Sequence, residues 1–157
     1  MAIADMFLKI QGVTGEAGDK QHKGEIEVVS WSWGMQASTS AAPGQASGKA
    51  TMGELQVVKR VDQSSPTLMK YLRNHKLVQD ATLTVRKAGK EPPLEYLTIG
   101  LERVRVTSLT IESDNTELME RVSLGFQKVR VTHMPQGASG AQGGGANVWE
   151  AVADEGF

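Results

Sequence analysis

Apolar and polar residues alternate along much of the chain, which predicts a protein built mainly from β-strands. In the first such segment Met6, Leu8 and Ile10 fall on one face. The pattern predicts six main strands, at residues 6–11, 26–33, 55–61, 81–87, 94–107 and 122–131. Residues 12–24, between the first two, are polar and contain glycine, which is typical of a surface loop.

Three of these strands change the parity of their apolar positions part-way along. In residues 26–33 the apolar positions move from even (Ile26, Val28) to odd (Trp31, Trp33). In residues 94–107 they move to odd between Tyr96 and Leu97 and back to even at Val104, and in residues 122–131 they move to odd at Val129. Since successive side chains point to opposite faces, a change of parity requires a bulge, a sharp bend or two short strands joined by a kink. Long strands bend in this way at the corners of closed barrels or between packed sheets. The pattern therefore favours a two-sheet β-barrel.

One short helix is predicted at residues 65–75. Ser65 is a residue type that caps helix N-termini, and Pro66 suits the first helical position. Leu68 and Leu72 follow at helical spacing on an apolar face. We expect both leucines to pack the helix against the outside or edge of the barrel.

Two segments have the composition of irregular structure. Residues 36–50 are small and polar, and they are too numerous for a hairpin turn, which predicts a long, mobile, extended loop. The chain after residue 135 is rich in glycine. We therefore predict one domain at residues 1–135 and a flexible tail at 136–157, with a short terminal strand near Trp149.

Composition excludes several classes of function. The 157 residues carry a formal charge of −1, whereas nucleic-acid and anionic-membrane binders carry a basic surplus. There is no cysteine, so disulfides, thiol nucleophiles and thiolate metal sites are excluded. No apolar run is long enough to span a bilayer, and residues 2–10 lack the features of a signal peptide. If the protein is exported, we expect a route that reads no cleaved signal.

The sequence contains no catalytic constellation, which argues against the rival hypothesis of a metal-dependent hydrolase. Residues 44–51 resemble a phosphate-binding loop, but the spacing of the glycines is wrong and Ala50 replaces the required hydroxyl. His22, His75 and His133 lie far apart, without the clustered ligands of a zinc site. We expect neither an enzyme nor a bound cofactor or metal.

Two tryptophans two positions apart form the most concentrated feature. Trp31 and Trp33 could stack on a ligand, but aromatic pairs more often bury their area in a core, and we favour the core. If the rings face inward, then Ser30, Ser32 and Gly34 face away from the core.

Six blocks of sequence resemble one protein family. In order along the chain, the similarity runs through residues 5–10, 22–28, 31–34, 62–69, 85–89 and 95–99. Together they resemble the haemolysin-coregulated protein (Hcp) family of type VI secretion. The resemblance covers about residues 1–135 and weakens in the tail, where the family often ends with Gly-Trp-Asn.

The resemblance implies a β-barrel that assembles as a homohexameric ring and has no enzymatic activity. Such rings stack on copies of themselves into an inner tube, beneath a valine–glycine repeat spike protein and inside a contractile sheath. The lumen can carry and protect effector proteins, and the route begins in the bacterial cytoplasm and ends outside the cell without a signal peptide. Neither nucleic-acid binding nor membrane insertion is implied.

The resemblance also directs attention to two sets of residues. In the family the extended loop reaches a neighbouring ring, so the predicted stacking residues are Ser38, Ser40, Pro43, Gly44, Ser47 and Gly48. A tube needs a face towards its lumen, and we assign Ser30, Ser32 and Gly34 to that face. The alternative that the residues leave open is a monomeric β-barrel that binds a small ligand.

Overall fold

The computed structural model describes residues 4–37, 50–87, 94–113, 116–135 and 145–153. These residues form ten strands: β1 Ala4–Ile10, β2 Ile26–Glu27, β3 Ser30–Ser32, β4 Met35–Ala37, β5 Ala50–Met52, β6 Leu55–Arg60, β7 Val78–Lys87, β8 Leu94–Ser113, β9 Leu118–His133 and β10 Asn147–Val152. The helix α1 is Ser64–Arg73. A mainly β fold with one helix is thus confirmed.

Eight strands form one curled antiparallel sheet whose two ends are joined by the chain itself. The order is β2-β1-β7-β8-β9-β6-β3, and β10 adds to β9. Between β2 and β3 lie only Val28 and Val29. The Val28 N–H donates to the carbonyl of Met6, and the Val29 N–H donates to that of Val58. The parity change at residues 26–33 is therefore two short strands, one pairing with β1 and the other with β6.

The parity changes of β8 and β9 lie directly opposite each other. Leu101 pairs with Val129 and Val104 pairs with Phe126, and all four side chains are buried. Between them each strand turns two consecutive side chains away from the core. Arg103 adopts the left-handed φ of 54° at this point. Two adjacent strands thus bend together at a single corner.

Two further irregularities in β8 are bulges of one residue. Val85 pairs with Leu97 and Arg86 with Glu95, so Tyr96 is the extra residue. Against β9, the extra residue is Thr107, whose hydroxyl donates to the carbonyl of Ser123. The first bulge explains the parity change between Tyr96 and Leu97.

Cross-strand partners build the core in rows across the sheet. The row through the middle of β8 consists of Leu8, Leu83, Ile99, Val131 and Trp149. The neighbouring row consists of Ile10, Ala81, Leu101, Val129 and Ala151. Aliphatic side chains therefore occupy the concave side of the sheet, joined there by Leu68 from α1.

The start of α1 differs from the prediction, because Ser65 is not the N-cap. Gln63 occupies that position, and Pro66 lies in the third helical position. The hydroxyl of Ser65 instead donates to the buried carboxylate of Glu120 and accepts from the ammonium of Lys59. Leu68 is fully buried as expected, whereas Leu72 is only half-buried.

The polar loop at residues 12–25 is held against β1, β7 and β8 by charged groups. The guanidinium of Arg86, itself buried, donates to Asp5 and makes two hydrogen bonds to Asp19. Phe7 packs under this guanidinium and stacks on the ring of His22 at 4.5 Å. The two ring nitrogens of His22 face Glu25 at 2.9 Å and Glu95 at 2.7 Å.

The predicted loop at residues 36–50 begins and ends in strand structure. Strands β4 and β5 pair as a two-stranded ribbon, in which Met35 lies opposite Met52 and Ala37 opposite Ala50. All of its residues are exposed except Met52, which packs against the core. The predicted stacking residues Ser38, Ser40, Pro43, Gly44, Ser47 and Gly48 lie outside the described residues. So does most of the glycine-rich tail, while β10 occupies the position of the expected terminal strand.

Candidate functional site

The polar residues of β3 belong to a surface that extends over four strands. Ser30 and Ser32 are exposed, and between them the half-buried Trp31 packs against the core. Ser30 pairs with Val58 of β6, and Ser32 pairs with Gln56. The alternation predicted from the sequence thus places the two serines on the side away from the core.

The pairing of β6, β9 and β8 continues this surface as two rows. The first row consists of Ser32, Gln56, Ser123 and Ser108. The second consists of Ser30, Val58, Arg121 and Thr110. We call these eight residues the polar face. Five of its members are small hydroxyl residues, and the other three are Gln56, Val58 and the charged Arg121.

The polar face encloses a shallow cavity of about 300 Å³. Its described lining consists of the polar face together with Trp31, Val57 and Val122. Hydroxyl groups and one amide supply both hydrogen-bond donors and acceptors. The surface can therefore bind polar groups, but it lacks a convergent nucleophile, acid or base.

Two ion pairs lie on the same side of the sheet. The Nε atom of Arg121 lies 3.4 Å from Glu112, and that of Arg60 lies 3.1 Å from Glu117. All four side chains are about half exposed or more. Exposed pairs of this kind contribute only about 0–1 kcal/mol each.

Gly34 and the second tryptophan lie beside the polar face at the base of the ribbon. The carbonyl of Gly34 accepts from the Gly53 N–H, and the indole N–H of Trp33 donates to the Gly53 carbonyl. The Trp33 ring packs against the core and lies 6.3 Å from the ring of Trp149. The core role expected for both tryptophans is what the structure shows, whereas Gly34 is absent from the described cavity lining.

Comparison with known families decides the class of protein. A family model described as "Type VI secretion system effector, Hcp" matches residues 7–133, which is most of the chain. This chain belongs to the Hcp family. The resemblance inferred from the six sequence blocks is thereby confirmed.

Similar proteins match this chain over nearly their whole length. Protein hcp1 of Pseudomonas aeruginosa is 43% identical over 145 residues, covering 90% of both chains. The crystal structure of Hcp1 from Salmonella typhimurium has a TM-score of 0.81 at 30% identity, covering 97% of this chain and 96% of that one. A type VI secretion system effector from Yersinia pestis has a TM-score of 0.77 at 28% identity, covering 95% and 100%.

Membership of the Hcp family indicates no catalytic function. Within the described ranges, no group of three or more His, Asp or Glu side chains could hold a metal ion. His22, which the sequence left without a role, belongs to the loop contacts with Glu25 and Glu95. The described part of the chain also has no helix that is both long and apolar enough to cross a bilayer.

Sequence reasoning found two members of the polar face and missed the other six. Gln56 alternates with Leu55 and Val57, and Ser123 alternates with Val122 and Leu124, so each outward position was visible locally. What the sequence did not supply was the register that brings β6, β9 and β8 beside β3. Register depends on pairing between residues far apart in the chain.

Proposed function

We propose that this Hcp-family chain is the structural subunit of a type VI secretion tube. In this proposal six copies form a ring, and the rings stack into a tube with the polar face towards the lumen. The observation that carries the proposal is the polar face itself, which is wide, mostly uncharged and on the side away from a complete aliphatic core. A conduit for proteins benefits from such a surface, because it offers no large apolar area to which cargo would adhere.

The lumen is the proposed place of effector binding. Ser30 and Ser32 contact the effector, with Gly34 at the margin of the same surface. Each contact is weak, but a ring repeats it around one axis, and several weak contacts together hold a cargo that later dissociates. The lumen thereby carries and protects effector proteins during export.

The ribbon of β4 and β5 is the proposed base of the stacking loop. Both strands project exposed residues, and Met35 is 52% exposed. In the proposed tube, Ser38, Ser40, Pro43, Gly44, Ser47 and Gly48 contact the neighbouring ring. Deletion of residues 38–47 then leaves the ring intact and impairs the growth of tubes.

The remaining proposed partners follow from the tube. A valine–glycine repeat spike protein caps it, and a contractile sheath surrounds it. Synthesis takes place in the bacterial cytoplasm, and the protein leaves the cell without a signal peptide. Neither nucleic acid nor a membrane is a proposed partner, since the net charge of −1 favours neither.

Light scattering coupled to size-exclusion chromatography tests the ring directly. The expected mass is six times the 16.9 kDa of one chain. Electron microscopy of concentrated samples then shows whether rings stack, with the loop-deletion variant beside the unaltered protein. A monomer of 16.9 kDa would contradict the proposal and favour the small-ligand β-barrel. Tubes formed equally well by the deletion variant would contradict the assigned stacking loop.

A further inference from the structure

The cavity in the polar face has one charged group among its described lining residues. That group is the guanidinium of Arg121. The same lining includes five residues that carry hydroxyl groups: Ser30, Ser32, Ser108, Thr110 and Ser123. Guanidinium and hydroxyl groups both donate hydrogen bonds, and a carboxylate accepts several at once. The donor set of the cavity therefore matches a carboxylate better than an ammonium group or an apolar side chain.

The cavity has room for such a group together with water. Its volume of about 300 Å³ is roughly ten times the ~30 Å³ that a water molecule occupies in the liquid. It opens on the surface, so a side chain carried by another protein can enter without a movement of the sheet.

Arg121 already has a carboxylate near it in the chain's own Glu112. The distance of 3.4 Å from Nε to the carboxylate and the exposure of both side chains, 64% and 56%, make this a weak pair. The contact with Glu112 is made at Nε of the guanidinium, whereas an arginine presents five N–H donors in all. Glu112 is therefore a partner that a better-placed carboxylate can replace.

We infer that Arg121 binds an acidic side chain of the cargo protein, in exchange for Glu112. This inference rests on the proposed function, which assigns the polar face to cargo, and it adds the chemical class that is recognised. Repetition of the site around a ring favours cargo whose surface carries aspartate or glutamate at several places.

Binding of small probes tests the inference without an identified effector. The probes are N-acetylglutamate amide, with a side-chain carboxylate, and N-acetylglutamine amide, its uncharged isostere. N-acetylalanine supplies the carboxylate of a chain end. Ligand-observed NMR titrations at low ionic strength, on the unaltered protein, are expected to give roughly tenfold tighter binding of the glutamate probe than of the glutamine probe.

Two substitutions are expected to act in opposite directions. Arg121→Gln should weaken binding of the glutamate probe roughly tenfold, because the charged donor is lost. Glu112→Gln should strengthen it several-fold, because the competing carboxylate is removed. The pair of Arg60 and Glu117 supplies matched controls, and neither Arg60→Gln nor Glu117→Gln should change binding by more than about twofold.

Three results would overturn the inference: equal binding of the glutamate and glutamine probes, an unchanged affinity in Arg121→Gln, or tighter binding of N-acetylalanine. The molecular mass of each variant is measured in the same samples. A monomeric protein that still discriminates between the probes would contradict the proposed function and leave the carboxylate site standing. An intact ring without discrimination would contradict the carboxylate site alone.

Discussion

Trp33 and Trp149 bring their indole rings within 6.3 Å of each other at an angle of 44°, although they lie near opposite ends of the chain. Trp149 is the last member of the core row that runs through Leu8, Leu83, Ile99 and Val131. The ring remains 43% exposed. The contact therefore joins the C-terminal strand to the base of the ribbon β4–β5.

Trp149→Ala should loosen β10 from the sheet. Loss of the ring contact and of part of its burial should lower the free energy of unfolding by about 1–2 kcal/mol. Urea denaturation measures this loss, and hydrogen exchange of the β10 amides localises it. Val152→Ala is the matched control, because Val152 is more exposed at 65% and lies on the other face of β10. Equal effects of the two substitutions would show that the Trp33 contact contributes nothing.

The buried pair of Lys59 and Glu120 should be strongly coupled. Lys59 is fully buried and its ammonium contacts Glu120, Ser65 at 3.2 Å and Asp62 at 3.1 Å. Lys59→Met leaves the Glu120 carboxylate buried without a counter-charge, which should lower the free energy of unfolding by about 3–5 kcal/mol.

A double-mutant cycle isolates that coupling. The double variant Lys59→Met with Glu120→Leu removes both charges, so it should be more stable than Lys59→Met alone. The free energies of unfolding from urea titrations of the four proteins give the coupling. Additive losses from the two substitutions would contradict a direct interaction.

Docking of the loop at residues 12–25 should weaken in acid. Hydrogen bonds from Arg86 hold the pKa of Asp19 below its ordinary value, with a smaller contribution from the attraction between the two charges. This pKa is lower in the folded chain than in the unfolded chain. The pair of Asp19 and Arg86 therefore stabilises the fold at pH values above the ordinary pKa of an aspartate. The contribution is lost as the pH falls through the pKa of the folded state.

The free energy of unfolding should fall as the pH is lowered from neutral into the range in which carboxyl groups titrate. In Asp19→Asn this fall should be smaller than in the unaltered protein. Urea midpoints measured across that range check the slope. Asp80→Asn, at an exposed carboxylate, is the control and should leave the slope near that of the unaltered protein. A steeper slope in Asp19→Asn would contradict the sign of the expected shift.

Ser32→Glu tests the proposed lumen. Ser32 is exposed beside Gln56, so the substitution should leave the mass of the ring unchanged and alter stability by less than about 0.5 kcal/mol. The added charge should repel acidic cargo and reduce the amount that co-purifies. Ser32→Gln separates the effect of charge from that of size. Loss of the ring would place Ser32 in a subunit interface, and unchanged cargo would place the lumen on another surface.

The two leucines of α1 should differ in their contribution to stability. Leu68 is fully buried, so Leu68→Ala should cost about 2–5 kcal/mol. Leu72 is only half-buried, and the same change there should cost about half as much or less. Thermal and urea denaturation of both variants measures the difference. Equal costs would contradict the orientation of the helix.

The sequence predicted the strands well because alternation is a local property. Leu55 and Val57 alternate with Gln56 whatever lies beside them, and the parity change at Tyr96 and Leu97 marks a bulge that the structure contains. The start of α1 was misplaced because the hydroxyl of Ser65 is bound by Glu120, a residue of β9. The burial of Lys59 depends on the same distant partner, so no pattern near Lys59 could reveal it.

The corner shared by β8 and β9 limits how these strands can change in length. Glu102 of β8 pairs with Lys128 of β9 at the corner. The pairing of the two strands runs through the corner without a change of register, from Leu101 and Val129 before it to Val104 and Phe126 after it. Inserting a single residue into β8 before the corner would exchange inward and outward side chains for the rest of that arm. A compensating insertion opposite it in β9 would restore the pairing. We expect homologous chains to differ here by matched pairs of residues, so that the two strands lengthen or shorten together.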